Sequence, residues 1–205
     1  NKGFGSIGSM YYTSSGGLGW GEMYASKDYR ELLNQHPQDN RRGSIEPSLD
    51  ENGNVQERNG YPIYYVKKFT GQSGNVLLSS PVIPRLAEMY LNRAEANAKL
   101  GNVQQALDDV NTIRERAGLG GDALYTPSDL NGSQDILDVV LEERRLEFAF
   151  EGFRAHDLWR NGRSVVRGYP GIHTQVNIAP GVDPSTDPPT QTIPPDHPCV
   201  VHFIP

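Results

Sequence analysis

The sequence is short of the features that define several common scaffolds. A single cysteine, Cys199, excludes an internal disulfide and a thiolate cage for a structural zinc, because each needs more than one sulfur. No apolar run approaches the roughly 20 residues that a membrane-crossing helix requires. The amino-terminal stretch NKGFGSIGSMYYTSSGG has neither the basic start nor the apolar core of an export signal, so the chain as given reads as soluble, or equally as a mature or truncated piece whose export signal was removed. Positive charge is in deficit: 19 Lys and Arg stand against 25 Asp and Glu, a net −6. Phosphate binding needs a concentrated basic surface, which argues against a nucleic-acid partner. Nor is there a Gly-rich loop between a strand and a helix, or a Ser or Cys placed in a nucleophile elbow, and nothing implies a cofactor. At 205 residues the default is one domain.

What is present changes along the chain. Residues 1–80 are rich in Gly, Ser, Asn and Tyr, show little helical period, and read as loops and short strands. A short helix is expected over Tyr29 to Asn34, capped by Ser26 or Asp28 and stopped before Pro37. Tyr61 to Phe69 is the best strand, with Pro62 marking an edge or a strand start. Residues 81–163 read as a helical scaffold. Ile83, Leu86, Ala87, Tyr90, Leu91, Ala94 and Ala98 recur at three- and four-residue steps and form one apolar stripe, with Pro81 and Pro84 in the first turn. Gly101 closes this helix, Asn102 caps a second one carrying Val103, Ala106, Leu107, Val110, Ile113 and Ala117, and Gly118 ends it. So short a connection makes the pair antiparallel.

A third helix starts near Ser133 and runs to Phe150. Gly152 interrupts it, and Phe153 to Arg160 forms a further short helix ended at Asn161-Gly162. Residues 164–205 are dominated by Pro and Gly; GVDPSTDPPTQTIPPDHP reads as an extended, exposed excursion before a last apolar run, Val200 to Ile204. The pair from Arg85 to Gly118 has tetratricopeptide-repeat character without a second clear copy. A lone repeat cannot bury its apolar face, so this pair must pack on something else.

Several clusters invite a chemical reading. Glu142, Glu143, Arg144, Arg145, Glu147, Glu151 and Arg154 could supply paired carboxylates for glycoside hydrolysis. Their alternation at helical pair spacing favours ion pairs that neutralise a partly buried helix face, and no catalytic residue is assigned. Trp159 and Phe153 read as core residues, and His156 and Asp157 as hydrogen-bonding neighbouring chain. His197, Cys199 and His202 match no tight metal spacing. Asp50, Asn52 and Asn54 imitate the start of a calcium loop, but Val55 and Tyr61 replace its required Gly and Glu, so DENGN is a turn and no metal site is expected. In the Gly-rich amino-terminal part, Trp20, Tyr11, Tyr12 and Tyr24 lie close in sequence. Exposed rings there can stack on sugar faces while Asn and backbone groups take the hydroxyls; the competing role is to pin a long loop to the body. Trp20 is the best single candidate for ligand contact.

The blocks PVIPRLAEMYLNRAEANAKLGN, ALDDVNTIRERAGL and LEERRLEFAFEGFRAHDLWRNGR, in this order and spacing, resemble the carboxy-terminal signature of the SusD/RagB family, and PCVVHFIP is similar to its usual ending. The resemblance implies a mainly α protein, a tetratricopeptide-like α-α superhelix with long loops and minor β. It implies a non-catalytic protein that captures glycan or other nutrient oligomers, oligosaccharide or peptide, on the extracellular face of a Bacteroidetes-type outer membrane. A TonB-dependent, SusC-like transporter would be the partner, and membrane association would come from a lipid anchor whose cysteine has no counterpart in this sequence. The alternative is a tetratricopeptide-like protein-interaction module with no small ligand.

Overall fold

The computed structural model describes residues 6–13, 19–58, 61–80, 83–168, 190–198 and 200. These are mainly helical, with short two-stranded β pairs. They divide into two units interleaved along the chain: Asn1–Leu32, Arg42–Val82 and Gly168–Thr190 make the first, and Leu33–Arg41, Ile83–Arg167 and Gln191–Pro205 the second.

The first unit begins with a helix that composition concealed, α1 (Ile7–Tyr11). Five residues are too few to show a period, but Ser6 caps it by accepting from the Ser9 amide at 3.2 Å, and the Ser6 hydroxyl donates to the Leu77 carbonyl at 2.8 Å. Helix α2 (Lys27–Asn34) starts two residues before the expected Tyr29, with Ser26 accepting from the Tyr29 amide at 3.3 Å. Asp28 sits inside the first turn, where a carboxylate complements the helix dipole. Four strands follow: β1 (Ile45–Pro47), β2 (Glu57–Arg58), β3 (Tyr61–Pro62) and β4 (Tyr64–Val66). Antiparallel pairing sets Ile45 opposite Val66 and Glu46 opposite Tyr65 in one ladder, and Glu57 opposite Pro62 in the other.

The single strand expected over Tyr61 to Phe69 is therefore two short ones. Ile63 and Val66 are both buried, and their odd separation cannot be met by an unbroken strand with its two-residue alternation. At the break, the Ile63 amide donates to the Gln56 carbonyl at 2.9 Å while its own carbonyl accepts from Ser48 at 3.0 Å. The DENGN segment is a turn, as expected: Asp50 Oδ1 accepts from the amides of Asn52 and Asn54, each at 2.8 Å.

The second unit is built on α3 (Leu86–Lys99), α4 (Val103–Arg116), α5 (Ile136–Glu147) and α6 (Phe153–Trp159). Its core joins Ala87, Leu91 and Ala94 of α3 with Leu107, Val110 and Ile113 of α4, Val139 and Val140 of α5, and Phe148. Each such Leu or Val contributes about 1.5–3 kcal/mol on burial. The first pair is antiparallel: Arg93 and Asp109, equally far from Gly101 on either side, form a two-pronged bond at 2.8 and 2.6 Å. Gly101 makes the reversal with φ 78°.

Several boundaries differ from expectation. Arg85 occupies the cap of α3, so Pro84 lies ahead of the helix, and Ile83 and Leu86 are 81% and 70% exposed instead of joining the buried stripe. Asn102 stands at the cap of α4 without capping it; its side chain donates to Asn97 Oδ1 at 3.2 Å. Helix α5 begins at Ile136, three residues after the expected start near Ser133, and its cap Asp135 accepts from the Asp138 amide at 2.8 Å. The stretch between α4 and α5 is held by Asn111, whose side chain donates to the Tyr125 carbonyl at 2.8 Å and accepts from the Tyr125 amide at 2.9 Å.

Past α6, β5 (Val165–Gly168) pairs with β6 (Thr190–Ile193), a strand inside the segment expected to be an exposed excursion. The Trp159 indole donates to the Ile193 carbonyl at 3.1 Å. Pro81, Cys199, His202 and nearly all of the last apolar run lie outside the described residues.

Candidate ligand-binding site

The charged block on α5 is absorbed by structure. Glu143, 1% exposed, accepts from Arg41 at 2.6 Å and from Arg114 at 2.9 Å. Glu147 takes bonds from Arg85 and from Arg116, the latter at 2.5 Å. Arg144 grips Asp157 through Nε and Nη2, both at 2.9 Å, and donates to Asn92 at 2.8 Å. Helical spacing predicts ion pairing between neighbours on one helix. The partners instead come from elsewhere in the fold, so these charges join elements. Glu95 shows the balance involved: burial pushes its carboxyl up, but bonds from Arg160, Lys99 and Asn161 outweigh that and hold it below the ordinary value.

Arg114 is equally enclosed. Its Nε donates to the Ala123 carbonyl at 2.7 Å, its face lies 4.4 Å from the Tyr125 ring centre, and Nη2 is 3.0 Å from His36 Nε2. An arginine can only donate, so His36 accepts there and is neutral; burial first, and then Arg114, depress its basicity. Of the charges first considered for hydrolysis, Glu143 and Glu147 both face arginines, and Arg41 reaches the two of them, at 2.6 and 3.7 Å.

The aromatic residues of the first unit are arranged differently. Tyr12 and Tyr24 both meet Tyr65 edge-on with centroids 5.7 Å away, and Tyr24 is also bridged to Tyr65 through the backbone. Sequence reasoning missed Tyr65. The Tyr64-Tyr65 doublet was the available signal, since neighbouring strand residues face opposite ways and one of the two had to leave the buried side. Glu46 bonds Lys67 at 2.7 Å, and the Tyr12 phenol is held above its ordinary value by burial and then by the Glu46 charge. Tyr24 is the first cause that holds the Arg58 guanidinium above its ordinary value. Tyr11 is more enclosed; it packs against Phe69 at 5.8 Å, and burial raises its phenol.

Trp20 stands out from this group, with 57% of its surface exposed. Its backbone is nonetheless fixed, because the Trp20 and Gly21 amides both donate to the Ser9 carbonyl, at 2.7 and 3.0 Å. Gly21 permits the approach to the rings: a Cβ there would lie 3.0 Å from the Tyr65 ring, and its φ of 54° suits glycine. Of the four candidates, then, Tyr12 and Tyr24 are brought together through Tyr65, Tyr11 packs against Phe69, and Trp20 is more than half exposed on an anchored backbone. Among the described residues no cluster of His, Cys, Asp and Glu is suited to a metal, and no helix is long and apolar enough to cross a membrane.

Comparison with known proteins places this architecture. Residues 7–191 match the model of the SusD family. Two curated relatives come from Formosa agariphila. SusD-like protein P38 is 36% identical over 87 residues, covering 41% of this chain and 17% of the relative. SusD-like protein P2 is 30% identical over 119 residues, covering 56% and 24%. The chain thus aligns with under a quarter of either relative's length. A SusD superfamily protein from Bacteroides thetaiotaomicron superposes with a TM-score of 0.66 at 27% identity, over 93% of this chain and 39% of that one. A putative sugar binding protein from Bacteroides vulgatus superposes with a TM-score of 0.54 at 30% identity, over 77% and 31%. With nine-tenths of its length matched by the family model and its tetratricopeptide-like helices and minor β shared with superfamily structures, the chain belongs to the SusD family.

Proposed function

We propose that this chain is part of a non-catalytic binding protein that captures glycan or other nutrient oligomers on the extracellular face of the outer membrane and passes them to a TonB-dependent, SusC-like transporter. The observation that carries the reading is the exposed Trp20 ring on a fixed backbone, next in sequence to tyrosines locked by Tyr65. A rigid ring stacks on a sugar face with little ordering cost, and Tyr12 and Tyr24 add polar phenols to the same loop-rich segment. The sugar-binding description of the Bacteroides vulgatus neighbour supports a saccharide over a peptide. In this reading the chain acts as one domain, with residues 1–80 carrying the ligand surface and 81–163 the scaffold.

Calorimetry with a panel of oligosaccharides and peptides tests it, with tryptophan fluorescence as a second signal. A cognate oligosaccharide gives saturable heat, and Trp20→Ala weakens it about tenfold, equivalent to about 1.4 kcal/mol. Equal affinity of Trp20→Ala and wild type would remove Trp20 from the site. One observation favours the protein-interaction alternative: Ile83, just ahead of α3, and Leu86 and Met89 in its first turn expose apolar surface. That reading expects Leu86→Glu, and not Trp20→Ala, to abolish co-purification with a transporter.

A further inference from the structure

Arg154 differs from three of the arginines of the same unit. Arg144 reaches Asp157, Arg160 reaches Glu95 and Asp157, and Arg163 reaches Asp138. Arg154 donates through Nη1 to the Leu141 carbonyl at 3.1 Å and, among the described residues, pairs with no carboxylate. The guanidinium is half-buried in the wall of an open cleft of about 460 Å³ on the second unit, bordered by Gln35, Gln134, Asp138, Glu142 and Arg163. Burial, with repulsion from Arg145 and Arg163, pushes it down to about 10. It remains a cation at neutral pH, but one whose charge is poorly compensated.

The rest of the wall restricts what could compensate it. Glu142 shares the cleft and opposes a plain anion, while it would accept hydrogen bonds from hydroxyl groups. The Gln35 and Gln134 amides donate and accept at once, which also suits hydroxyls. Asp138 is already engaged by Arg163. A ligand that satisfies the whole wall carries one carboxylate beside several hydroxyls. We propose that this cleft is a second ligand site that takes a sugar acid, its carboxylate on Arg154 and its hydroxyls on Glu142, Gln35 and Gln134. Nothing in this depends on the Trp20 reading, which concerns the other unit.

Calorimetry of the 205-residue chain with galacturonic acid, galactose, sodium sulfate and N-acetylglutamate tests the proposal. Galacturonic acid should bind at least tenfold more tightly than the other three, and Arg154→Gln should weaken it at least tenfold. Equal binding of galactose, sulfate or N-acetylglutamate overturns the sugar-acid assignment, as does an Arg154→Gln variant with wild-type affinity. A second measurement needs no variant. Phenylglyoxal modification of Arg154, followed by peptide mass spectrometry, should be slowed severalfold by galacturonic acid and not by galactose; equal modification rates overturn the site even if Arg154→Gln does not fold.

Discussion

Glu143→Ala is the sharpest test of how the second unit is held together. The carboxylate is buried and takes bonds from Arg41 and Arg114, the latter itself 1% exposed. Arg41 would keep Asp39, which it grips at 2.7 Å. Arg114 would keep the Ala123 carbonyl and His36, neither carrying negative charge, and would become a buried cation with no counterion among the described residues. Removing one partner of such a pair costs about 3–5 kcal/mol. With a urea slope of about 1–3 kcal/mol per molar, the midpoint should fall by about 2 M. Urea unfolding followed by far-ultraviolet circular dichroism measures it. A loss below about 1 kcal/mol, the worth of an exposed pair, would refute the reasoning. The companion variant Glu143→Leu with Arg114→Met should lose less than Glu143→Ala, because a buried pair replaced by apolar residues of similar volume is often neutral.

Three further outcomes follow from the geometry. At Gly8 a Cβ would meet the Phe69 and Leu77 carbonyl oxygens at 2.5 and 2.8 Å, both backbone, so Gly8→Ala should destabilise by about 1–3 kcal/mol in thermal unfolding. Gly43→Ala, with open space around it, should be neutral or stabilise by up to about 1 kcal/mol. The Glu95 carboxyl is depressed in the folded chain, so its contribution is fully present above its unfolded value near 4.5 and disappears as pH falls through the lower folded value. Urea midpoints measured across that acid window should fall less for Glu95→Gln than for wild type; parallel profiles would remove Glu95 from the acid response.

The helices were legible because their apolar residues keep a steady period and their glycines sit where a left-handed turn ends them, as at Gly101. Their starting residues were less so. Asp135 and Ser133 are both competent caps, and the choice depends on which chain direction enters α5, which composition does not encode. The break at Ile63, between Tyr61-Pro62 and Tyr64–Val66, depended on ladders formed with Ile45–Pro47 and Glu57–Arg58, whose charged and mixed residues carry no strand pattern. At the candidate site, the ring-rich composition was visible, whereas the anchoring of Trp20 by the Ser9 carbonyl is a backbone contact that no side chain announces. The charge block is recognisable as structural, but its partners, Arg41, Arg85 and Arg114, are distant in sequence, and only the closed fold brings them to Glu143 and Glu147.

The Asn111 clasp has a consequence for which residues can vary. It reads the peptide group at position 125 and ignores the ring attached to it. Exchange of the ring would leave the fastening in place, while aspartate at 111, identical in outline, would set oxygen against the carbonyl oxygen it must serve. The two sides of this one junction thus answer to different constraints: the small amide to the peptide it fastens, the large aromatic to the core and the Arg114 guanidinium it lies against.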